Sequence, residues 1–329
     1  MTRTERFDYT SATSDYVALQ KGVVRYDASS NGRLRLTEAD RAELLHRLST
    51  NDIRKLSSGD GTRTVLVNHN ARIIDLLTVY ALPEHLLVVT SPAQRAAVLN
   101  LFRKNIFFRD RVVVEDISAE TVEYHLYGAQ AAAFVSEISS LDPTDWPLHH
   151  IQAITLSNVQ AWLACIHPLG RYGFAILGRT EDREAIEAVI SSAVPLQDAT
   201  YEIGRVEYGY PAPGRELSLE YIPLETRLMD AISFNKGCYV GQEIIARMES
   251  RHRLAKQLMG LRLTRMVEPG GKLQLDGKEV GDLTSVVDSP RCGSIGLAYV
   301  RTAAAEPGTV VQVADGVDAE VVELPFVQE

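Results

Sequence analysis

The pattern of short strands and turns beyond residue 255 constrains the fold more than any other part of the chain. About six β-rich runs follow one another there, separated by turn signals of the Pro-Gly-Gly, Asp-Gly, Ser-Pro and Pro-Gly type. Strands at this spacing, with no helical pattern between them, are typical of a small barrel or sandwich. We therefore predict an all-β, barrel-like C-terminal domain over residues 255–329.

The preceding residues, 1–254, alternate strand-like and helical patterns and predict an α+β body. Thr37 is placed to cap a helix that runs through Leu48. Ser91 followed by Pro92 is a helix start, because proline is favoured at the first helical position. The loop at 142–147 (DPTDWP) indicates a crossing between subdomains near residues 140–150.

Composition narrows the class of protein. The chain has 329 residues, of which 45% are apolar and 23% charged, as in ordinary soluble globular proteins. A net charge of −9 argues against a broad nucleic-acid-binding surface. Three cysteines without paired spacing indicate a reducing compartment. With neither a long apolar run nor a signal-peptide pattern, we expect a cytoplasmic protein that does not span a membrane.

Residues 234–243 (FNKGCYVGQE) carry the most distinctive chemistry. Gly237 and Gly241 permit backbone angles or close approaches that a Cβ would forbid. The apolar run after them predicts a helix start with acid and amide groups in its first turn. Cys238 precedes that helix and lies two residues from Lys236, and both features favour the thiolate. A buried structural cysteine is the alternative, so Cys238 and Lys236 are catalytic candidates.

Two carboxylates are further candidates. Asp75 lies in a strand whose face carries apolar residues, where desolvation raises the pKa of a carboxyl group. It is therefore either an acid/base group or a satisfied structural acid. Glu207 falls in the last turn of a predicted helix over residues 198–208, where the helix dipole disfavours an anion. It either pairs with Arg205 or accepts two N–H groups from a flat heterocycle.

The basic run and the other two cysteines carry weaker functional signals. A basic run follows the cysteine motif and is either a solvated helix face or an attractor of anions; its members are Arg247, Arg251, His252, Arg253 and Lys256. Cys165 and Cys292 are expected to be structural. Because the sequence shows no close Cys/His pairing, it predicts no metal site.

Residues 236–243 (KGCYVGQE) resemble the signature of the YgfZ-type folate-binding proteins. These are relatives of the glycine-cleavage T-protein, an aminomethyltransferase, with roles in the maintenance of iron–sulfur proteins. The segments 49–53 (STNDI), 205–211 (RVEYGYP) and 280–285 (VGDLTS) resemble elements of the same superfamily. The resemblance implies two interleaved α/β subdomains that form a ring with the C-terminal barrel and hold tetrahydrofolate in a central channel.

The resemblance also assigns roles to individual residues. It implies that Glu207 grips the pterin and that Asp75 lies in the folate-site segment. We also expect Tyr239 and Arg247 to contribute to folate binding, Arg247 as part of the basic run that attracts an anionic tail. T-proteins carry two successive acids where this chain has Asp75 followed by Leu76, so one of the pair is missing. Because side chains alternate along a strand, only one of these positions faces the folate, and the sequence leaves open which.

Three functions remain open from the sequence. The first is a tetrahydrofolate-binding accessory factor for iron–sulfur proteins, including those that modify tRNA, with Cys238 as a thiol tuned by Lys236. The second is a folate-dependent aminomethyl or one-carbon transferase that uses Asp75. The third is a folate-binding module without chemistry. The expected partners are folate and iron–sulfur client proteins, and the expected state is a monomer.

Overall fold

The structure is a computed structural model that describes residues 13–167, 169–251, 254–313 and 316–327. Its strands are β1 Val24–Asp27, β2 Gly32–Thr37, β3 Gly61–Val67, β4 Ile73–Ala81, β5 Leu86–Thr90, β6 Val113–Asp116, β7 Thr121–Tyr127, β8 Ile151–Leu156, β9 Val159–Cys165, β10 Gly173–Arg179, β11 Val194–Pro195, β12 Lys256–Leu263, β13 Lys272–Leu275, β14 Lys278–Ser289, β15 Gly293–Arg301, β16 Val310–Val313 and β17 Val317–Val322. Its helices are α1 Ser14–Lys21, α2 Arg41–Leu48, α3 Arg95–Lys104, α4 Ala131–Ser139, α5 Arg183–Val189, α6 Asp198–Glu207 and α7 Gln242–Arg251. Short 3-10 turns cover Ile53–Lys55, Pro92–Gln94, Thr180–Asp182, Pro223–Thr226, Met229–Ala231 and Thr302–Ala304.

Two antiparallel sheets build the body and confirm the predicted pair of α/β subdomains. The first sheet has the strand order β3-β4-β5-β2-β6, and α2 and α3 contribute Leu44, Leu45 and Phe102 to its core. The second sheet has the order β11-β1-β7-β10-β9-β8, with one parallel pair, β1 with β11. α4 and α5 pack against it through side chains such as Val135 and Ile186.

The two subdomains interleave because the chain enters the second sheet first. β1 belongs to the second sheet, β2 to β6 build the first sheet, and β7 returns to pair with β1. The crossings therefore lie at residues 28–31 and 117–120. The predicted crossing near residues 140–150 is wrong, because that loop connects α4 to β8 within the second subdomain.

The C-terminal strands form the predicted barrel. β12 to β17 close in the order β12-β15-β14-β13-β16-β17, which removes free sheet edges. An apolar cluster joins the barrel to the body and includes Val65, Val206, Leu258 and Leu297. This cluster fixes the end of α6 against the barrel.

Candidate functional site

A cavity of about 200 Å³ lies between the two sheets of the body, and we call it the central pocket. It is lined by residues that include Arg63, Leu76, Thr78, Glu123, His125, Tyr127, His149, His167 and Tyr210. A larger cavity of about 440 Å³ lies between Arg35, Trp162 and Arg179. None of the six candidate residues from the sequence lines either cavity, but Leu76, the neighbour of Asp75, lines the central pocket. This contact makes the central pocket the candidate ligand site.

One wall of the central pocket carries a row of three polar side chains on β7. Glu123, His125 and Tyr127 share a strand face because they are two residues apart. His125 Nε2 lies 2.7 Å from Glu123 Oε1, and His125 Nδ1 lies 2.8 Å from the Tyr127 hydroxyl. Asn31 Nδ2 donates to the second carboxylate oxygen of Glu123 at 3.3 Å. The row joins a carboxylate, an imidazole and a phenol, which can accept and pass a proton.

The structure turns Asp75 away from the central pocket. Its side chain is 1% exposed and accepts backbone N–H groups of Ser91 and Leu76, each at 3.0 Å. Burial raises the pKa of Asp75 to about 6 despite these two donors. Leu76, the next residue on β4, lines the pocket instead. The position that faces the pocket is thus the one at which this chain lacks the acid.

Glu207 is also absent from the pocket lining. It is fully buried at the end of α6, and its Oε1 accepts hydrogen bonds from the Tyr16 hydroxyl at 2.6 Å and Ser289 Oγ at 2.5 Å. Arg291 Nη2 donates to the other oxygen at 2.8 Å. Both carboxylate oxygens thus bind groups of α1 and of the barrel, and the pterin contact expected for Glu207 stays a prediction. Arg205, the other expected partner, pairs with Glu202 and Glu216.

Lys236 anchors the cysteine motif to the end of α2. Its Nζ donates to the carbonyl oxygens of His46, Ser49 and Asn51 at 2.5, 2.6 and 2.7 Å. Burial lowers the pKa of Lys236 to about 7, whereas three carbonyl acceptors stabilise the charged form. With all three donors of the ammonium used, the visible role of this side chain is to position the motif.

Cys238 lies at the surface between two buried neighbours. Cys238 is exposed, whereas Lys236 and Tyr239 are 7% and 9% exposed. The backbone before it passes close to His46, since a Cβ on Gly237 would lie 3.7 Å from His46 Nε2. Burial, with the nearby charges of Lys236 and Arg54, lowers the pKa of His46. The motif thus presents an exposed cysteine, and the backbone just before it passes close to the His46 ring.

The rest of the motif packs as structure. Gly241 adopts a φ of 79°, and a Cβ there would come within 2.9 Å of the Asn68 carbonyl oxygen. α7 begins at Gln242, as predicted. Tyr239 lies in an apolar cluster with Ile222 and Ile245 and does not line the central pocket. Arg247 is exposed on α7, also outside the pocket lining.

Of the four other members of the basic run, the structure describes the side chain of Lys256 alone. Lys256 begins β12, and its Nζ lies 4.3 Å from the centre of the Tyr221 ring. His252 and Arg253 lie outside the described residues, and the side chain of Arg251 is also outside them. No anion-binding cluster around Arg247 is therefore established.

Asn51 connects the cysteine motif to the central pocket. Its carbonyl oxygen accepts from Lys236, and its Nδ2 donates to the carbonyl oxygens of Arg63 and Asp230 at 2.8 and 2.9 Å. Arg63 lines the pocket and pairs with the Asp230 carboxylate at 2.8 Å. A continuous hydrogen-bonded path thus links the anchor of Cys238 to the pocket.

The polar row of β7 and the Arg63–Asp230 pair are functional groups that the sequence patterns above do not predict. A signal for the row exists in residues 121–127 (TVEYHLY), where Glu123, His125 and Tyr127 repeat with a period of two. Asp230 follows an apolar stretch with no periodic pattern, so only the fold brings it to Arg63. Within the described residues, no helix is long and apolar enough to cross a membrane.

Comparison with known proteins matches both parts of the chain to one family. Residues 2–236 match the GCVT N-terminal domain, and residues 256–328 match the glycine cleavage T-protein C-terminal barrel domain. The chain is 33% identical over 325 residues to an Arabidopsis thaliana protein described as "Putative transferase At1g60990, chloroplastic", covering 98% of this chain and 75% of that one. The chain therefore belongs to the glycine-cleavage T-protein (aminomethyltransferase) family.

Other relatives are more distant. The aminomethyltransferases of Thermus thermophilus and Saccharopolyspora erythraea are 28% and 27% identical to this chain, with 97% of it covered in each case and 91% and 90% of theirs. The crystal structure of the aminomethyltransferase T from Bartonella henselae aligns with a TM-score of 0.85 at 21% identity, over 95% of this chain and 88% of that one. The last match establishes that the fold is shared.

Proposed function

We propose that this chain binds tetrahydrofolate in the central pocket and acts, through Cys238, as a YgfZ-type accessory protein for iron–sulfur proteins, including those that modify tRNA. The observation that carries the proposal is the position of Leu76. It puts an apolar side chain into the pocket where T-proteins carry an acid, while Cys238 stands exposed at the surface. Family membership supports folate as the ligand.

The size and chemistry of the central pocket favour the pterin end of a folate. Pockets that enclose drug-sized ligands measure about 300–1,000 Å³, so a cavity of about 200 Å³ suits one ring system and leaves the tail outside. Tyr127, Tyr201 and Tyr210 supply aromatic surface for a flat ring. Glu123 supplies a carboxylate in the pocket lining. His125 and Asn31 contact its two oxygens, so a ring N–H would have to use the remaining lone pairs or displace one of these contacts.

The thiol is the second part of the proposal. Lys236 and Tyr239 anchor the backbone on both sides of Cys238 and leave the sulfur accessible. Thiolates are the ligands that iron–sulfur clusters prefer, so an exposed, well-positioned cysteine suits transient contact with a cluster or a client protein. By contrast, burial raises the pKa of Cys165 and of Cys292, which makes these two less reactive.

One observation favours an alternative, a folate-dependent one-carbon transferase. The row of Glu123, His125 and Tyr127 offers acid/base groups inside the pocket, although Asp75 is turned away from it. Such an enzyme would transfer the methylene carbon of an aminomethyl donor to tetrahydrofolate, with release of ammonia and of the protonated carrier group of the donor, and His125→Gln would abolish that turnover. Under the accessory function, His125→Gln leaves support of an iron–sulfur enzyme intact as long as folate still binds.

Calorimetry with tetrahydrofolate tests the ligand. Wild type is expected to bind one equivalent, Glu123→Gln to bind at least tenfold more weakly, and Glu207→Gln to bind like wild type. Absence of binding to wild type would refute the folate site. A full loss in Glu207→Gln with no loss in Glu123→Gln would return the pterin contact to Glu207.

A cell-based assay of an iron–sulfur enzyme tests the thiol. Cys238→Ala is expected to abolish support of that enzyme and to leave tetrahydrofolate binding unchanged, whereas the matched control Cys165→Ala keeps both. Full activity of Cys238→Ala would remove the thiol from the mechanism. The proposal retains a cytoplasmic location and a monomeric state, which fractionation and light scattering check.

A further inference from the structure

We propose that His149, His167 and Asp230 form a binding site for a divalent transition-metal ion at the wall of the central pocket. One ligand atom from each of these residues lies within 4.8 Å of the other two. His149 precedes β8 and His167 follows β9, and the pairing of these two strands brings the histidines together. The backbone N–H of His149 donates to the Cys165 carbonyl oxygen at 2.9 Å and holds this arrangement.

His149 is buried and His167 is half-buried, and three of their ring nitrogens are buried without a hydrogen-bond partner. His149 is 6% exposed, and neither of its ring nitrogens has a partner among the described residues. The same is true of His167 Nε2. Buried polar atoms in folded proteins almost always have a partner, and each exception requires an explanation. A shared metal ion would satisfy one nitrogen of each ring at once.

The backbone of His149 adds a second, independent observation. Its φ of 66° lies in the left-handed region, which residues other than glycine seldom adopt. Such conformations persist where the surrounding structure imposes them, and they cluster at ligand-binding positions. Here the conformation turns the ring towards His167, with ring centres 5.4 Å apart.

The protonation states of the three residues suit a metal. Burial and the neighbouring His167 and Arg63 lower the pKa of His149 to about 3, and burial also lowers the pKa of His167. Both rings are therefore neutral near pH 7, which is the form that binds metals. Arg63 and His167 hold the pKa of Asp230 well below its usual range, so its carboxylate is ionised.

The three ligand atoms lie within 4.8 Å of one another and would have to move closer together to share a metal ion. His167 Nε2 lies 3.7 Å from Asp230 Oδ2, and metal–nitrogen bonds of about 2.0–2.1 Å place neighbouring ligands slightly closer than this. Two imidazoles and one carboxylate are a known donor set for zinc and for non-haem iron(II), with coordination positions left open. Both histidines line the central pocket, so the open positions would face its interior.

Arg63 is the main group that opposes a cation here. Its Nη2 donates to both oxygens of Asp230, at 2.9 and 2.8 Å. Arg63 Nε also donates to Oδ2 at 3.1 Å, so this oxygen, which lies towards His167, already accepts two contacts. A metal ion bound to Oδ2 would displace one of them, while Oδ1 keeps its hydrogen bond from Nη2. The positive charge of Arg63 nevertheless lowers the affinity, and we expect binding in the micromolar range. The competing interpretation is an ion pair between Arg63 and Asp230 with no metal.

The test uses the full chain, stripped of metal with a chelator and kept free of folate. Titration with Co²⁺, followed by visible absorbance, and with Zn²⁺, followed by calorimetry, is expected to show one equivalent bound. His149→Gln and His167→Gln should each weaken binding at least tenfold, and Asp230→Asn, a partly exposed residue that can keep one hydrogen bond to Arg63, should do so without unfolding. His69→Gln, in the exposed turn between β3 and β4, is the control.

Saturable binding that all three variants weaken and His69→Gln does not would support the site. Absence of saturable binding to wild type below millimolar Co²⁺ and Zn²⁺ would overturn it. Equal binding by wild type and the folded Asp230→Asn variant would overturn it too. Because no folate is present, the result is independent of the function proposed above.

Discussion

Replacement of Glu207 by Gln separates a structural carboxylate from a folate contact. The substitution keeps the size of the side chain but removes the charge that faces Arg291 at 2.8 Å. Arg291 is 12% exposed and Glu207 is fully buried, so the guanidinium is left largely without its counter-charge. Breaking one side of a buried ion pair typically costs about 3–5 kcal/mol. We expect the free energy of unfolding to fall by about 3 kcal/mol, since a neutral amide oxygen can still accept one hydrogen bond.

Urea denaturation followed by circular dichroism measures this loss. Ser289→Ala removes only one neutral donor to Glu207 and should cost about 1 kcal/mol. Arg291→Met combined with Glu207→Gln should cost less than the sum of the two single changes, because the residues share one interaction. The remaining folded Glu207→Gln protein should bind tetrahydrofolate like wild type.

One combination of results would refute this reasoning. If Glu207→Gln were as stable as wild type and had lost tetrahydrofolate binding, the natural partner of the carboxylate would be the ligand and not Arg291. If Glu207→Gln lost both stability and tetrahydrofolate binding, the two causes could be separated by measuring the affinity for tetrahydrofolate at low temperature, where the variant is folded. An intact affinity at low temperature would support a structural role for Glu207, in which the carboxylate joins α6 to α1 and to the barrel.

Three further predictions follow from the site. Because burial raises the pKa of Asp75 from 3.8 to about 6, the folded state keeps a proton there that the unfolded state has lost between about pH 4 and pH 6. The stability of wild type relative to Asp75→Asn should thus fall by about 2.4 kcal/mol as the pH rises from 4 to 7, and a pH-independent difference in urea titrations would contradict the shift. Leu76→Trp should fill the central pocket and weaken tetrahydrofolate binding at least tenfold in calorimetry, whereas Asp75→Asn should not, and equal effects would refute the assigned strand faces. A thiol reagent should label Cys238 faster than Cys165 in the native protein; a fast phase that survives in Cys238→Ala would show that the exposed thiol is elsewhere.

Much of the fold was predictable because its signals are local. The closely spaced strands and turns beyond residue 255 led to the barrel, and the first-turn pattern after Gly241 led to α7. The subdomain crossing was not predictable from the loop at 142–147, since strand pairing between β1 and β7 decides which sheet each segment joins. Composition and turn chemistry contain no information about that long-range pairing.

The candidate site shows the same division. The sequence by itself determined that Asp75 and Leu76 point to opposite faces, because side chains alternate along any strand. It also determined that a thiol stands beside two glycines before a helix. Only the tertiary structure decided that Leu76 faces the pocket, that Glu207 is used by Tyr16 and Arg291, and that His149, His167 and Asp230 meet. Which side chains are buried, which form ion pairs and which meet at one site depends on residues far apart in the chain, so no local sequence pattern could reveal these contacts.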